Sequence, residues 1–523
     1  MNSALRPAGC SFLSKTPESI FSPEQFTPDD VLMIDTASDF AKKEVLPILD
    51  RLDLQEDGLM PSLIHKAGAL GLCGVDTPEE YGGLGLGKNL AARILEMMSV
   101  NGSFAVTYGI TSGISIVGLN LFGTEDQKQQ YLPRLVSGEW IGAYALSEPN
   151  SGSDALSATT RAVRKGDDYV LSGTKMWISN AKWADMFLVM AKVDGERFSA
   201  FLVEKDFPGV TVAREEHKMG LKGSSTARLV LDDAVVPVQN LLHQEGLGHH
   251  VAFNALNIGR FKLASMSIGP CRDAMTLAAR YSLERRQFGK SISNFGLIRQ
   301  KFAQMASQFY VAESMIYRTG ALIDGAFEEW GGSIDGNRKA AEEYAIECSA
   351  CKVFATEAQS FIVDESLQTF GGYGFTEEFP IARHYRDARV SRIYEGTNEI
   401  NRLFITDRFL KRVSDGRALI SSSGDSFIGE LASKALSQIG KNQVSIGAAS
   451  DLLLLTYADQ SAKLRSVQSP GWNSSLYEAF LPWSRARAVE LFQMATGEEV
   501  FLPAIAKVDY EAIGEHAIEV ASR

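Results

Sequence analysis

The stretch "YVLSGTKMWISN", Tyr169 to Asn180, sets the plan of the chain. It is rich in β-branched and aromatic residues and short enough for one strand. Four runs of the same kind follow: "MFLVMAKV" (186–193), "SAFLVEK" (199–205), "GVTVA" (209–213) and "ARLVLDDAVVP" (227–237). Turn signals part the runs, among them "KGDD" (165–168) and Asp194-Gly195, both suited to hairpins. Residues 143–244 therefore read as a small antiparallel β-domain.

The flanks have a different period. "VLMIDTASDFAKKEVLPIL" (31–49), "SLIHKAGALGL" (62–72) and "NLAARILEMMSV" (89–100) space apolar residues at three and four, so 30–142 reads as a helical domain. Helical patterns return over 245–412, where Ile298, Phe302, Met305 and Phe309 form one stripe, the pattern of a core face. The last segment, 413–523, carries the linker signal "SSSGD" (421–425) and returns to helix-like sequence. Residues 1–29, where Ser, Thr and Pro cluster, read as a flexible N-terminus. Helices, then strands, then helices make an α+β plan with segregated layers.

The bulk properties exclude some functions. A net charge of −12 and a pI near 5.3 argue against general affinity for nucleic acid, which needs a basic face. The longest aliphatic runs, such as "LLLL" (452–455), fall far below the ~20 residues of a membrane span. "MNSALRPAGCSFLSK" (1–15) lacks the apolar region of a secretory signal and is a poor mitochondrial presequence. A bacterial cytoplasm is the expected location, or the mitochondrial matrix in a eukaryote. Five sparse cysteines fit a reducing compartment. Cys348 and Cys351 read as two small residues on one helix face, and no Cys/His cluster with ligand spacing occurs, so no structural metal is expected. "PEEYGGLGLG" (78–87) and "QTFGGYGF" (368–375) fail G-x-G-x-x-G, because Lys88 and Glu377 stand where the third glycine belongs.

Four stretches carry chemistry. "YALSEPNSGSD" (144–154) crowds hydroxyls and turn-formers at the entry to the β-domain: a polar turn, or an edge that hydrogen-bonds a planar ligand. In "MWISN" (176–180), Trp177 is a core residue or a flat surface for a ring, with the Ser179 hydroxyl beside it. "RRQFGKSISNF" (285–295) is a solvated basic turn or a pyrophosphate contact. "RIYEGTNEI" (392–400) offers Glu395 as a surface carboxylate or as a base.

Together these stretches resemble the acyl-CoA dehydrogenase family, over roughly residues 30–412. "ALSEPNSGSDALS" (145–157) resembles its first signature, and "QTFGGYGFTEEFPIARHYRD" (368–387), with Arg383 and Asp387, its second. "RIYEGTNEI" resembles the segment that carries the catalytic glutamate. The resemblance implies a helical N-terminal domain, a central β-domain and a C-terminal four-helix bundle, with FAD between them. It implies that Tyr144, Leu146, Ser147, Gly152 and Ser153 line the flavin, with Ser153 also reaching the acyl-CoA. Trp177, Ile178 and Ser179 would pack on the ring. Arg285, Phe288, Gln368, Gly371 and Gly372 would reach FAD from a neighbouring subunit, and Thr397 and Glu399 would flank its adenine-diphosphate part. Asn257 and Arg260 would contact substrate. A homo-oligomer is thereby implied, with a dimer ahead of a tetramer.

By the same resemblance, Glu395 would take the α-proton of an acyl thioester while a hydride leaves the β-carbon for the flavin. Burial beside an apolar chain strengthens a glutamate as a base, and Gly396 would permit close approach of substrate. Some members carry the base on the helix matching "NALNIGRF" (254–261). Here that position is Gly259, and residues 256–260 hold no carboxylate. The tail beyond 412 looks like that of very-long-chain members, which points to long acyl chains, and "YGITSGISIVG" (108–118) reads as room for a deep acyl tunnel or as close helix packing. Electron-transfer flavoprotein is the expected acceptor. An acyl-CoA oxidase using O₂, and a flavin-bound scaffold with secondary catalysis, are the alternatives. Peripheral membrane association stays open, although the tail shows no basic amphipathic face.

Overall fold

A computed structural model describes residues 8–424 and 426–523. Residues 1–7 of the expected flexible N-terminus and Asp425 of the expected linker lie outside the described residues. The chain forms two compact units. One takes Asp29–Lys262 and Ala326–Glu342; the other takes the residues up to Pro28, Leu263–Gly325 and Glu343–Arg523.

The first unit holds the sheet. Its strands are β1 (Gly142–Ala145), β2 (Arg161–Lys165), β3 (Asp168–Ser179), β4 (Met186–Val193), β5 (Arg197–Glu204), β6 (Val210–Val212), β7 (Thr226–Pro237) and β8 (Leu241–Leu242). They run in the order β6-β7-β3-β2-β4-β5-β8, with β1 also on β4. Antiparallel pairing dominates, yet β1 and β2 both run parallel to β4. Turn signals mark hairpins, and a parallel pair needs a longer crossover that leaves no such mark. Alternation sends Tyr169, Leu171 and Ile178 of β3 and Leu229, Leu231 and Val236 of β7 into one core with Phe187 and Phe201. The β3–β7 register shifts twice, between Leu171 and Gly173 and between Lys175 and Ile178.

A bent helix anchors this unit. Gly102–Gly109 continues through the π-turn Ile110–Ser115 into Ile116–Phe122, and Gly113 breaks helical geometry at φ −114°, ψ −105°. Gly102–Phe122 is apolar and long enough to cross a membrane, but most of it is buried in the unit, as in a core helix. At the bend, Lys262 Nζ donates to the Ser112 carbonyl (3.2 Å) and to Asp76 Oδ1 (3.0 Å), while Lys88 Nζ reaches Asp76 Oδ2 (3.2 Å). Burial by itself would raise Asp76; the two ammonium charges override it and hold the carboxyl at about 2.

In the second unit, helices Ala345–Phe370, Asn398–Ser414 and Gln443–Gln468 pack in sequence, Asn398–Ser414 against both others. Phe302, Met305 and Phe309 of the predicted stripe are buried, as are Cys348 and Cys351 on one helix. Helices Phe427–Ser437, Gln443–Gln468, Trp472–Thr496 and Tyr510–Ser522 build the C-terminal extension.

Residues 8–28 correct the expectation of a flexible N-terminus. Phe12, Leu13 and Ile20 are buried. Gln468 brackets Ile20, accepting from its N–H and donating to its carbonyl, both at 2.9 Å. The Gly9 and Cys10 N–H groups donate to the Glu343 and Glu347 carboxylates (2.9 and 2.6 Å), and Arg465 donates to Glu24 (2.7 Å). The apolar anchors are few and aperiodic, and their partners lie hundreds of positions away, so no local pattern reports them.

Candidate active site

In the first unit the predicted residues converge on the edge of β3. The Met176 N–H donates to the Ser147 carbonyl (2.9 Å), laying the loop after β1 beside "MWIS". Lys175, wholly buried in the strand, donates to the Leu146 carbonyl (3.1 Å) and to Glu148 Oε1 (2.7 Å). Glu148 also accepts from the Thr159 N–H (2.6 Å), the Thr159 hydroxyl (2.8 Å) and the Thr160 N–H (3.0 Å). Burial opposes ionisation of Glu148, but the Lys175 charge and these donors win and hold it at about 2. Burial draws Lys175 down to about 8 against the pull of Glu148, so both members are charged through the neutral range. Beyond this anchor the Glu148–Ser151 bridge turns the chain, leaving Gly152 and Ser153 exposed at its tip.

The bulge in β3 sets the next contact. Trp177 adopts φ 61° and leaves its indole 57% exposed, while Ile178 stays in the core. A left-handed bulky residue is strained, and here the strain presents a flat ring to the outside. Asn180, also left-handed, fastens the bulge from behind by donating to the Thr107 and Gly142 carbonyls (3.1 and 3.0 Å) and the Thr111 hydroxyl (3.3 Å). The Tyr144 hydroxyl donates to the Ala252 carbonyl (3.4 Å), which ties β1 to the helix that carries Asn257 and Arg260. Those two are buried and share a face, with Arg260 donating to Asn257 Oδ1 (3.4 Å). An exposed indole on a strand that ends at Ser179, with the Ser147 backbone bonded to its neighbour Met176, suits a flat ring with a polar edge.

The second unit carries the other two groups. Glu395 and Gly396 are both left-handed, at φ 55° and 80°. The Gly396 carbonyl accepts from Lys352 Nζ (2.9 Å) and Asn401 Nδ2 (2.8 Å). Thr397 caps the helix that follows, accepting from the Ile400 N–H (3.2 Å). Burial first, and then the Glu395 and Asp387 carboxylates, push the Tyr394 phenol well above its ordinary value. Glu399 is exposed on the first turn, where a backbone N–H and the Thr397 hydroxyl hold it below the usual carboxylate range.

Arg285, Phe288, Gln368, Gly371 and Gly372 form the remaining group. Phe288 and Gly289 make the left-handed pair of a two-residue hairpin, with Phe288 93% exposed. Arg285 lies over the Tyr373 ring at 5.6 Å, and Tyr281 stacks on Phe370 at 4.3 Å, joining the hairpin to the end of helix Ala345–Phe370. Lys352 and Gln368 lie on that one helix about 24 Å apart, from ~1.5 Å of rise per residue. Within the chain, Gln368 is thus far from the Lys352 contact with Gly396.

Sequence reasoning missed the residues that hold these parts: Glu148, Lys175 and Asn180 in one unit, Lys352, Asn398 and Asn401 in the other. The only local signal was a lone lysine in an otherwise apolar stretch, as in "SACKVFA" (349–355).

Three family models match the chain in order. They are the acyl-CoA dehydrogenase N-terminal domain over residues 27–139, the middle domain over 143–234 and the C-terminal domain over 246–410. A probable acyl-CoA dehydrogenase of Bacillus subtilis is 48% identical over 422 residues, 80% of this chain and 71% of that protein. The mitochondrial very long-chain specific acyl-CoA dehydrogenase of Macaca fascicularis is 40% identical over 368 residues, 68% of this chain. The match spans 53% of that relative's length. The crystal structure of an acyl-CoA dehydrogenase complexed with FAD from Bacillus anthracis matches with a TM-score of 0.91 at 37% identity, over 98% of this chain and 99% of that chain. The chain belongs to the acyl-CoA dehydrogenase family of FAD-dependent enzymes.

Proposed function

We propose that the chain converts long-chain acyl-CoA to trans-2-enoyl-CoA, with Glu395 as the base that takes the α-proton. The observation that carries this reading is the turn at Glu395 and Gly396. Two consecutive left-handed residues, one of them a glutamate, are costly unless the surroundings impose them. Here Lys352, Asn401 and the capped helix after Thr397 impose them.

The residues present fit FAD. The Trp177 indole, the Ser147 and Ser179 hydroxyls and the backbone of 146–148 would hold its ring, and Gly152 and Ser153 its flanks. When bound, FAD supplies the acceptor for the hydride from the β-carbon. Asn257 and Arg260 would orient the substrate, and Gly396, having no side chain, would permit its close approach to Glu395. Holding the thioester so that its α-proton faces the carboxylate supplies the orientation part of the rate.

Arg285, Phe288, Gln368, Gly371 and Gly372 are exposed; Gln368 stands far along helix Ala345–Phe370 from Lys352, Gly371 and Gly372 follow the end of that helix, and Arg285 packs over Tyr373 just beyond it. That separation supports their service to the FAD of a second subunit, and so a homodimer. Long acyl chains are supported by the extension beyond 412. Electron-transfer flavoprotein is the proposed acceptor.

The tests are direct. Butyryl-, octanoyl- and palmitoyl-CoA are added anaerobically to the purified flavoprotein, and loss of flavin absorbance is timed. Fastest bleaching with palmitoyl-CoA supports the long-chain reading; fastest bleaching with butyryl-CoA overturns it. Admitting air to the reduced protein then tests the acceptor, because prompt stoichiometric H₂O₂ would make it an oxidase.

A further inference from the structure

We infer that Lys352 is a positioning residue for the reaction: its buried ammonium locks the Glu395–Gly396 turn by gripping the Gly396 carbonyl. The inference rests on the reading of Glu395 as the base. Lys352 is wholly buried near the start of helix Ala345–Phe370. It donates to the Gly396 carbonyl at 2.9 Å and to Asn398 Oδ1 at 2.7 Å. That carbonyl belongs to the peptide between Gly396 and Thr397, so the grip fixes the chain immediately after the left-handed pair Glu395–Gly396. Asn401 reaches the same oxygen (2.8 Å) and the Thr397 carbonyl (3.0 Å) from the helix on the other side. One carbonyl thus receives a charged donor and a neutral donor from two helices.

The grip is itself held. Asn398 Nδ2 donates to the Thr356 hydroxyl and to Glu357 Oε1, each at 3.1 Å. Arg402 bridges Glu357 (2.9 Å) to Asp451 (2.6 Å) on helix Gln443–Gln468 of the C-terminal extension. A path of hydrogen bonds therefore runs from the extension, through Arg402, Glu357 and Asn398, to Lys352 and the turn. A buried ammonium costs several kcal/mol unless its partners repay it. Asn401 already provides a neutral donor for the carbonyl. A full charge there stiffens the turn more than a neutral bond would, because charge-assisted hydrogen bonds are about twice as strong.

The test uses holoenzyme variants K352M, K352Q and N401S beside E395Q. In K352M, kcat per bound flavin should fall about 10- to 100-fold while KM changes by less than about threefold, the scale of a misplaced catalytic group. The kinetic isotope effect with α-deuterated acyl-CoA should rise in K352M, because proton removal becomes slower. K352Q, which can still donate to the carbonyl, should recover part of kcat. If K352M does not fold, N401S should show the same pattern at smaller size. A crystal structure of the folded variant should show Glu395 leaving the left-handed region. Wild-type kcat and isotope effect in K352M, or in N401S where only that variant folds, would overturn the inference while E395Q stays inactive. An active E395Q would instead remove the reading on which it rests.

Discussion

Lys175 and Glu148 meet at 2.7 Å in the interior of the β-domain, and each belongs to a stretch proposed to hold the flavin ring. Lys175 precedes "MWIS" by one residue, and Glu148 lies within "LSEPNSG". The pair is therefore the joint between the two segments assigned to the flavin ring.

Breaking that joint should cost both stability and flavin. K175M leaves Glu148 with backbone and hydroxyl donors but without its cation, and E148Q leaves a buried ammonium short of its counter-charge. A loss on the order of 3 kcal/mol is expected for either. Thermal unfolding of the apoprotein and flavin content per chain check it. Full flavin content with unchanged melting in both variants would contradict the joint.

The acid limb of stability follows from the same group. Glu148 ionises at about 2 in the fold against an ordinary value of 4.5, and Asp76 is likewise held at about 2. A depressed carboxylate stabilises the fold fully above its unfolded value and loses that contribution as pH falls toward the folded value. Stability should thus drain between pH ~4.5 and ~2, with Glu148 alone contributing on the order of 3 kcal/mol. Denaturant unfolding across that range in wild type and E148Q measures it; E148Q should show the shallower slope.

The bend at Gly113 should depend on Asp76 and Lys262. D76N leaves Lys262 buried with a weaker partner and should destabilise by about 3–5 kcal/mol. The double variant D76N/K262M should regain part of that loss, as a coupled pair does. If the bend shapes the acyl tunnel, the double variant should also shift preference among acyl chain lengths, read as the ratio of kcat/KM for palmitoyl- and octanoyl-CoA. Additive single losses would deny the coupling.

The exposed Trp177 is proposed to serve the ring and not the core. W177A should release flavin readily, while the apoprotein melts within about 1 kcal/mol of wild type, because the indole lies largely outside the packed interior. Flavin absorbance after gel filtration, together with apoprotein unfolding, separates the two effects. A large loss of apoprotein stability would return Trp177 to the core reading.

Period carried the fold. β-Branched and aromatic runs parted by turn signals marked the strands from Tyr169 onward, and the Phe302–Met305–Phe309 stripe marked a face that turns inward. The long motifs around Ser147, Trp177 and Glu395 marked the candidate site. What stayed hidden depends on contacts across the chain. Glu148 and Lys175 are 27 positions apart, Lys352 and Gly396 44, and Glu24 and Arg465 441. A buried charge looks like any surface charge until its partner is placed. The π-turn at Ile110–Ser115 was equally silent, because its residues keep an ordinary helical pattern. Residues 8–28 misled for the converse reason: polar composition implied freedom, and a few aperiodic apolar side chains with long-range polar partners removed it.

Glu395 is proposed to take the α-proton. The decisive measurement is anaerobic rapid mixing of palmitoyl-CoA with flavin-loaded wild type and E395Q, following flavin absorbance. Fast bleaching in wild type, slowed by about 10²–10⁴ in E395Q at equal flavin content, is the predicted result, the range that a positioned general base contributes. Equal bleaching in both proteins would contradict the account and place the base elsewhere.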